Sequence, residues 1–389
     1  MTDGPNWTRE IGLDLAAASG LPVLDLTQGL SADPPPPVGP EVFPRTAAYP
    51  PSAGSEEFRA AAEAHLRRIY GVELPPGAVA ACAGSKELIS TLPLFLTATR
   101  HAEPPLGTGP RDPAAPVRDT VLVPALGYPP YALGARLAGL RVFRVPAGPD
   151  FRMRLDLLPQ EEVGRALCLW VNSPANPTGV VEPLDRIADW GRAHGVLVLS
   201  DEAYAAATWA HEPRTALSGG PKGVLALHSV SKRSNSPGLR VGFYAGDPAV
   251  VSRLVPLRRA AGFMASAASQ AAATKLLLDD RHAEEHTRRT RRRVNDLVAA
   301  LHAHGLACEP PQGGPFVWVR APGGSDVRFA RRAAQVAGLV VMPGSSYGPG
   351  ASGYVRIAAT LDRALVEPRL ALVGTAAETQ GRPSERTLR

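Results

Sequence analysis

Residues 228–242 read HSVSKRSNSPGLRVG, and this stretch contains Lys232, the residue most informative about fold and chemistry. The apolar run at 224–227 predicts a strand that ends at Ser229. Lys232 follows this strand, after the two small hydroxyl residues Ser229 and Ser231. Lysine is seldom placed where burial is expected. A buried amine has a lowered pKa and becomes a nucleophile for carbonyl groups. Lys232 is therefore a candidate for Schiff-base formation.

The same stretch offers ligands for a phosphate group. The hydroxyls of Ser229 and Ser231 and the guanidinium of Arg240 are suitable donors to an anion. The glycine spacing of a P-loop is absent, so a nucleotide-binding loop of that kind is excluded.

A proline-rich string, NSPANPTG at residues 172–179, follows the apolar run Ala166–Val171. Two steps into proline at the carboxyl end of a strand predict a rigid turn. Ligands bind at that end in open parallel sheets. The shorter string NPTG is a turn about as often as a site, whereas the complete string is more specific.

Two charged residues lie in apolar contexts and allow more than one interpretation. Asp201, in SDEAY at residues 200–204, suits a metal ligand, a helix N-cap or the partner of a buried cation. Arg356, in YVRI at residues 354–357, either extends to solvent or binds a carboxylate as a fork. Taken alone, neither residue decides between these alternatives.

The fold class follows from apolar runs of strand length with helical segments between several of them. Such a pattern predicts an α/β fold, with a largely parallel sheet covered by helices on both faces. The predicted strands are Thr120–Pro124, Ala166–Val171, Val196–Ser200, Val224–Ser229 and Val241–Ala245.

The rest of the chain predicts a second, smaller α+β unit. We expect one long helix at 267–304, a strand at 316–319, a helix at 327–337, and strands at 339–342 and 354–358. Residues 102–117 read as an inserted surface loop. The predicted division is an N-terminal arm with part of the small domain (1–45), a large domain (46–268), the C-terminal small domain (269–374) and a flexible tail (375–389).

Composition excludes several classes of protein. The chain has 389 residues, 44% of them hydrophobic and 20% charged, with a net charge of +6, which is typical of a soluble globular protein. The arginine-rich run 288–293 suits a phosphate patch or, more simply, a solvated helix face. The three cysteines lack metal-like spacing. We expect a cytoplasmic protein with no metal site, no nucleic-acid partner and no membrane span.

Taken together and in this order, the motifs resemble those of the class I/II aminotransferases, which depend on pyridoxal 5′-phosphate (PLP) and have the aspartate aminotransferase fold, also called fold type I. The resemblance extends from about Leu26 to Val373. Within the family the chain is most similar to the succinyldiaminopimelate aminotransferases. That likeness depends on GSKEL at 84–88, SKRSN at 231–235 and YGP at 347–349.

The resemblance implies a role for each site residue. Lys232 would form the Schiff base and shuttle the proton, and Asp201 would keep the pyridine nitrogen protonated, which makes the ring an electron sink. Tyr204 and Asn176 would hydrogen-bond the phenolic oxygen. The phosphate would lie at a helix N-terminus. Its expected ligands are Gly84, Ser85, Lys86, Ser229, Ser231 and Arg240.

Further roles concern the ring, the substrate and a second subunit. Tyr128 would stack on the pyridine ring. Arg356 would bind the substrate α-carboxylate, with Asn176 and Gly29 also at the substrate site. Tyr49 would reach the phosphate of the neighbouring subunit, which implies a homodimer with shared active sites.

The expected reaction is transfer of an amino group between an amino acid and a 2-oxo acid. The fold also hosts PLP-dependent lyases and γ-elimination or γ-replacement enzymes, for example on S-adenosylmethionine, and the motifs do not separate these. A ligand-sensing regulator is a third alternative, although the N-terminal forty residues are too few for a DNA-binding domain. The sequence around Tyr128 and the 102–117 insertion depart from the subfamily, which leaves side-chain specificity open.

Overall fold

A computed structural model describes residues 7–40, 49–102 and 117–378. Its helices are α1 Arg9–Ala17, α2 Glu56–Tyr70, α3 Ser85–Ala102, α4 Pro130–Leu137, α5 Gln160–Arg165, α6 Leu184–His194, α7 Val230–Arg233, α8 Pro248–Ala260, α9 Ala267–Leu278, α10 Asp280–Ala303, α11 Asp326–Ala337 and α12 Arg363–Glu378. Its strands are β1 Leu24–Asp25, β2 Val79–Cys82, β3 Thr120–Pro124, β4 Arg141–Val145, β5 Ala166–Asn172, β6 Leu197–Asp201, β7 Val224–Ser229, β8 Gly242–Gly246, β9 Phe316–Arg320, β10 Leu339–Val340, β11 Met342–Pro343 and β12 Tyr354–Ala358.

Seven strands form the central sheet, in the order β2-β8-β7-β6-β5-β3-β4. The five strands from β7 to β4 run parallel, and β8 is antiparallel to both of its neighbours. The mostly parallel α/β arrangement predicted from the apolar runs is confirmed. Two strands were not predicted, β2 and β4, and these are the two edges of the sheet.

Side chains of the central strands alternate between two cores, one on each face of the sheet. Along β5, Cys168 and Trp170 join one core, whereas Leu169 and Val171 join the other. The first core also contains residues of α3, α4 and α8, and the second contains residues of α2, α6 and α9. Helices therefore cover both faces of the sheet.

A third core forms around the smaller sheet, β11-β12-β9, whose strands are antiparallel. Residues of α10, α11 and α12 pack there, together with Leu26 near the N-terminus. Strand β1 pairs in parallel with β10. Residues from both ends of the chain thus share this core.

The single helix predicted at 267–304 is wrong, because the structure has two helices that meet at Asp279. Asp279 has a non-helical backbone (φ −94°, ψ 80°), and its carboxylate accepts a hydrogen bond from the N–H of His282 at 3.0 Å. It therefore acts as the N-cap of α10. No proline or glycine marks the break, since residues 275–283 read KLLLDDRHA, so the sequence did not reveal it.

The strand predicted at 339–342 is also divided. β10 pairs with β1, whereas β11 pairs with β12 in another sheet, so Val341 separates two short strands. Most of the predicted 102–117 loop, residues 103–116, lies outside the described residues. Helix α12 includes residues 375–378 of the predicted tail, and 379–389 lie outside the description. None of the described helices is long and apolar enough to cross a membrane.

Candidate active site

Three neighbouring parallel strands bring the motif residues to one edge of the sheet. Asn172 ends β5 and stands in register with Asp201, which ends β6. The Asn172 side-chain amide donates to the Asp201 carbonyl at 2.8 Å, and its oxygen accepts from the N–H of Asn176 at 2.7 Å. Ser229 ends β7, the next strand. The turn, the carboxylate and the lysine segment therefore converge at the carboxyl ends of the strands, where open parallel sheets bind ligands.

One cavity of about 630 Å³ collects twelve of the predicted site residues. Its volume is within the range of small-molecule sites. The predicted residues that line it are Gly29, Ser85, Lys86, Tyr128, Asn176, Asp201, Tyr204, Ser229, Ser231, Lys232, Arg240 and Arg356.

Lys232 lies in the short helix α7, directly after β7. Its Nζ donates to the carbonyl oxygen of Gly29 at 3.0 Å and lies 5.8 Å from the ring centre of Tyr204. The pKa of the Lys232 ammonium is lowered to about 8, chiefly by burial and then by the cations Arg356 and Arg240. A larger share of this amine is thus neutral at pH 7–8 than of an ordinary lysine.

Asp201 is 4% exposed and has two hydrogen bonds to its carboxylate. The hydroxyl of Tyr131 donates to Oδ2 at 2.7 Å, and the N–H of Ala203 donates to Oδ1 at 3.2 Å. Burial raises the pKa of this carboxyl, and the Tyr131 bond opposes that shift. In the described part of the chain no group of His, Cys, Asp or Glu could hold a metal. Of the alternatives for Asp201, its position favours a partner for a buried cation.

The cavity is also lined by Ser85 and Lys86 at the start of α3, where the first backbone N–H groups have no acceptor within the helix. Gly84, just before it, has φ +87°, and a Cβ there would lie 2.6 Å from Nη2 of Arg240. Arg240 itself has a left-handed backbone (φ +49°), which is uncommon for a residue with a side chain. The Ser229 hydroxyl donates to the Ser231 hydroxyl at 3.0 Å. Donors from three segments therefore face one small volume.

Arg356 on β12 is 6% exposed, so its guanidinium does not extend to solvent. Nη1 donates to the side-chain oxygen of Asn176 at 2.7 Å, and Nη2 donates to the carbonyl of Thr27. The guanidinium lies 4.0 Å from the ring centre of Phe316. Its Nε is buried with no hydrogen-bond partner. Because an unpaired buried donor is costly, this arrangement suits a ligand that accepts hydrogen bonds.

Two tyrosines add polar groups to the walls. Burial raises the pKa of both phenols, that of Tyr128 to about 12 and that of Tyr204 further. Both therefore stay protonated at neutral pH and can donate hydrogen bonds. The Nζ of Lys86 lies 6.0 Å from the ring centre of Tyr128.

Residues 27–36 form an irregular segment, called the strap below, and residues 27–30 of it line the cavity. Beyond the Thr27 and Gly29 contacts, Asp33 accepts two hydrogen bonds from Arg293 at 2.9 Å and lies 3.2 Å from Arg289. Hydrogen bonding by Arg293 lowers the pKa of Asp33 to about 2. Two arginines of the basic run thus hold the strap, whereas Arg288, Arg291 and Arg292 are exposed.

The structure does not bring Tyr49 into the cavity of its own chain, because its side chain is 91% exposed. The sequence interpretation missed Tyr131 and Phe316. Tyr131 was present in the string GYPPY at 127–131, but its contact with a residue seventy positions away had no local signal. Phe316 was visible only as the first residue of an apolar strand.

Comparisons with known proteins give a consistent result. A sequence model of the family described as aminotransferase class I and II matches residues 32–371. A probable aminotransferase of Mycobacterium tuberculosis is 37% identical over 358 residues, which are 89% of this chain and 79% of that protein. The 4-dedimethylamino-4-oxo-anhydrotetracycline transaminase of Streptomyces rimosus is 38% identical over 320 residues, 80% of this chain and 81% of that protein.

Among solved structures, a probable N-succinyldiaminopimelate aminotransferase from Thermus thermophilus superposes with a TM-score of 0.83. It shares 27% identity and covers 95% of this chain and 98% of its own. None of the relatives described here supports the alternative of a lyase or γ-elimination enzyme.

Proposed function

We propose a specific use of this pocket from one premise: the chain belongs to the aminotransferase class I and II family and is an aminotransferase. The pocket binds PLP, and the chain transfers an amino group between an amino acid and a 2-oxo acid. The observation that carries the proposal is that Lys232, Asp201 and Arg356 line one cavity. A nucleophilic amine, a buried carboxylate and an arginine fork are the groups that this reaction requires.

The residues present fit PLP at both ends of the molecule. A phosphate suits the volume between the N-terminus of α3, the hydroxyls of Ser229 and Ser231, and Arg240. Gly84 has φ +87°, a backbone conformation that favours glycine, so the turn before α3 depends on this residue. At the other end, the buried carboxylate of Asp201 suits a protonated ring nitrogen. When bound, PLP supplies a positively charged ring that accepts electron density from the substrate Cα.

Each residue then has a definite task. Lys232 supplies the amine that attaches covalently to the cofactor and, once free, moves a proton at the substrate Cα. Asp201 keeps the ring nitrogen protonated, and Tyr131 fixes the orientation of that carboxylate. Tyr204 and Asn176 donate to the phenolic oxygen, and Tyr128 packs against the ring.

Arg356 determines how the substrate is oriented. Its fork, already fixed by Asn176 and the strap, binds the α-carboxylate of the amino acid. Gly29 lines the same region, and a Cβ at this position would lie 2.7 Å from the ring of Phe316. The backbone therefore approaches the substrate site closely.

The active unit in this proposal is a homodimer in which the exposed Tyr49 reaches the phosphate of the partner. The proposed domain boundaries stay at 46–268 for the large domain and 269–374, with part of 1–45, for the small one. All seven strands of the central sheet lie within residues 79–246, which supports the bounds of the large domain. The third core combines Leu26 with residues of α10, α11 and α12, which supports the bounds of the small domain.

The test is a spectroscopic titration. Protein reconstituted with PLP should absorb in the visible, lose that band on addition of an amino-acid donor, and regain it on addition of a 2-oxo acid. A panel of donors that includes N-succinyldiaminopimelate and S-adenosylmethionine identifies the substrate. Release of methylthioadenosine without loss of the band would contradict transamination.

A further inference from the structure

A buried ion pair lies one layer behind the candidate phosphate site. Arg258 of α8 is 1% exposed, and its Nη1 and Nη2 donate to Oε1 and Oε2 of Glu87 at 2.9 and 2.8 Å. The rings of Phe95, Tyr244 and Phe263 surround the guanidinium, with centres 5.8–5.9 Å away. Burial of such a pair costs desolvation that roughly cancels its attraction, so stability alone does not account for it.

Glu87 connects this pair to the turn that precedes α3. Its Oε2 accepts the N–H of Ala83 at 3.2 Å, and its Oε1 accepts the hydroxyl of Thr91 at 3.0 Å. The carbonyl of Ala83 lies 3.5 Å from Nη2 of Arg240 on the other side. The backbone of Ala83 is therefore held through its N–H by Glu87, which Arg258 contacts, and through its carbonyl by Arg240.

The charges of Glu87 and Arg258 act on the N-terminus of α3, where the phosphate is proposed to bind. Glu87 lies in the first turn of α3, where a carboxylate interacts with the positive end of the helix and competes with any other anion there. Left uncompensated, it would repel a phosphate that binds at that helix end. Arg258 contacts both carboxylate oxygens, so the net charge of the pair is zero and the helix end still attracts an anion.

We propose that Arg258 is a positioning residue for cofactor binding: through Glu87 it fixes the 83–86 turn and cancels the negative charge beside the phosphate. This inference rests on the proposed function, since the phosphate belongs to PLP. Arg258 does not line the cavity and touches no reacting atom.

The experiment compares PLP with pyridoxal, which has the same ring and aldehyde but no phosphate. The dissociation constant of each compound is measured by visible absorbance for wild type and Arg258→Met. We expect the constant for PLP to rise roughly 10- to 100-fold, the range seen for supporting residues behind metal ligands. The constant for pyridoxal should stay within about twofold of wild type.

Three further variants test whether the charge and the geometry of Arg258 cause the loss of affinity for PLP. Arg258→Met combined with Glu87→Gln should recover part of the affinity for PLP, because the uncompensated charge is gone. Arg258→Lys keeps the charge but loses the fork, so its constant for PLP should lie between those of wild type and Arg258→Met. Arg259→Met is the matched control, since the neighbouring Arg259 is exposed, and its constants should equal those of wild type.

The inference is overturned if Arg258→Met binds PLP as tightly as wild type, or if the constants for PLP and pyridoxal rise by the same factor. If Arg258→Met does not fold, Arg258→Lys decides by the same comparison, and an unchanged constant for PLP overturns the inference. Failure of wild type to bind PLP at all would instead contradict the proposed function.

Discussion

At the residue scale, the property on which the site depends most is the lowered pKa of the Lys232 ammonium. Capture of PLP by the cofactor-free protein requires the neutral amine, and the pKa of this group is lowered to about 8. The rate constant for capture should therefore rise about tenfold per pH unit below pH 8 and level off above it. Stopped-flow absorbance between pH 6 and 10.5 measures this profile. Nα-acetyl-lysine in the same buffers is the control, and a protein profile that still rises at pH 10 would contradict the assignment.

Asp201 and Tyr204 should differ in importance although they line the same cavity. Asp201→Ala removes the charge that keeps the ring nitrogen protonated, and we expect kcat to fall by about 10²–10³ or more, as for loss of a major electrostatic group. Tyr204→Phe removes one neutral hydrogen bond, which costs about tenfold or less. Steady-state kinetics with saturating PLP measures both. Equal losses in the two variants would show that the roles are assigned wrongly.

Single residues were predictable where the chain concentrates its chemistry in short strings. Lys232, Asp201 and Asn176 each lie within five residues of the end of an apolar run, and this spacing predicts their place at the carboxyl edge of the sheet. Tyr131 and Phe316 were not predictable, because their significance comes from contacts with Asp201 and Arg356 that are distant in sequence. Local patterns carry no information about such contacts.

At the scale of elements, the strap is held by groups of unequal burial. Asp33→Ala removes hydrogen bonds to a largely buried Arg293 and loosens the segment that presents Gly29 to the substrate site. We expect KM for the amino acid to rise about tenfold, the equivalent of one charged hydrogen bond, with the affinity for PLP little changed.

Asp362→Ala is the matched control for the strap, because Asp362 also accepts from Arg293, at 2.8 Å, but its side chain is 71% exposed. Exposed ion pairs contribute little. Wild-type KM in Asp362→Ala, together with a raised KM in Asp33→Ala, is the predicted pattern. An effect of equal size in the two variants would contradict the role given to Asp33, because the exposed pair with Asp362 does not hold the strap.

The elements that sequence reasoning missed share a physical reason. β2 reads VAAC and β4 reads RVFRV, and neither is a continuous run of large apolar residues. Both are edge strands. The four residues of β2 are buried, but three of them have small side chains, and two arginines interrupt the apolar residues of β4. The break at Asp279 depends on a single capping residue that no proline or glycine accompanies. The sequence therefore predicted the inner strands of the sheet, but not its two edge strands or the helix end at Asp279.

At the scale of the whole molecule, we predict a dimer in which each subunit contributes a residue to the active site of the other. Tyr49 is exposed in the single chain, although it follows the pattern of a phosphate ligand. Light scattering should give twice the chain mass. Tyr49→Phe should raise the dissociation constant of PLP by up to about tenfold and leave the dimer intact. A monomer with full activity would contradict the shared site.

The most direct test of the whole account is to locate the covalent bond between PLP and the chain. The chain has four lysines, Lys86, Lys222, Lys232 and Lys275, and two of them, Lys86 and Lys232, line the cavity. Borohydride reduction of the PLP-loaded protein, followed by peptide mass spectrometry, identifies the attached residue. We predict that the added mass is on Lys232 and is absent from Lys232→Ala. Attachment to Lys86, or to no lysine, would contradict the assignment of Lys232 as the residue that binds PLP.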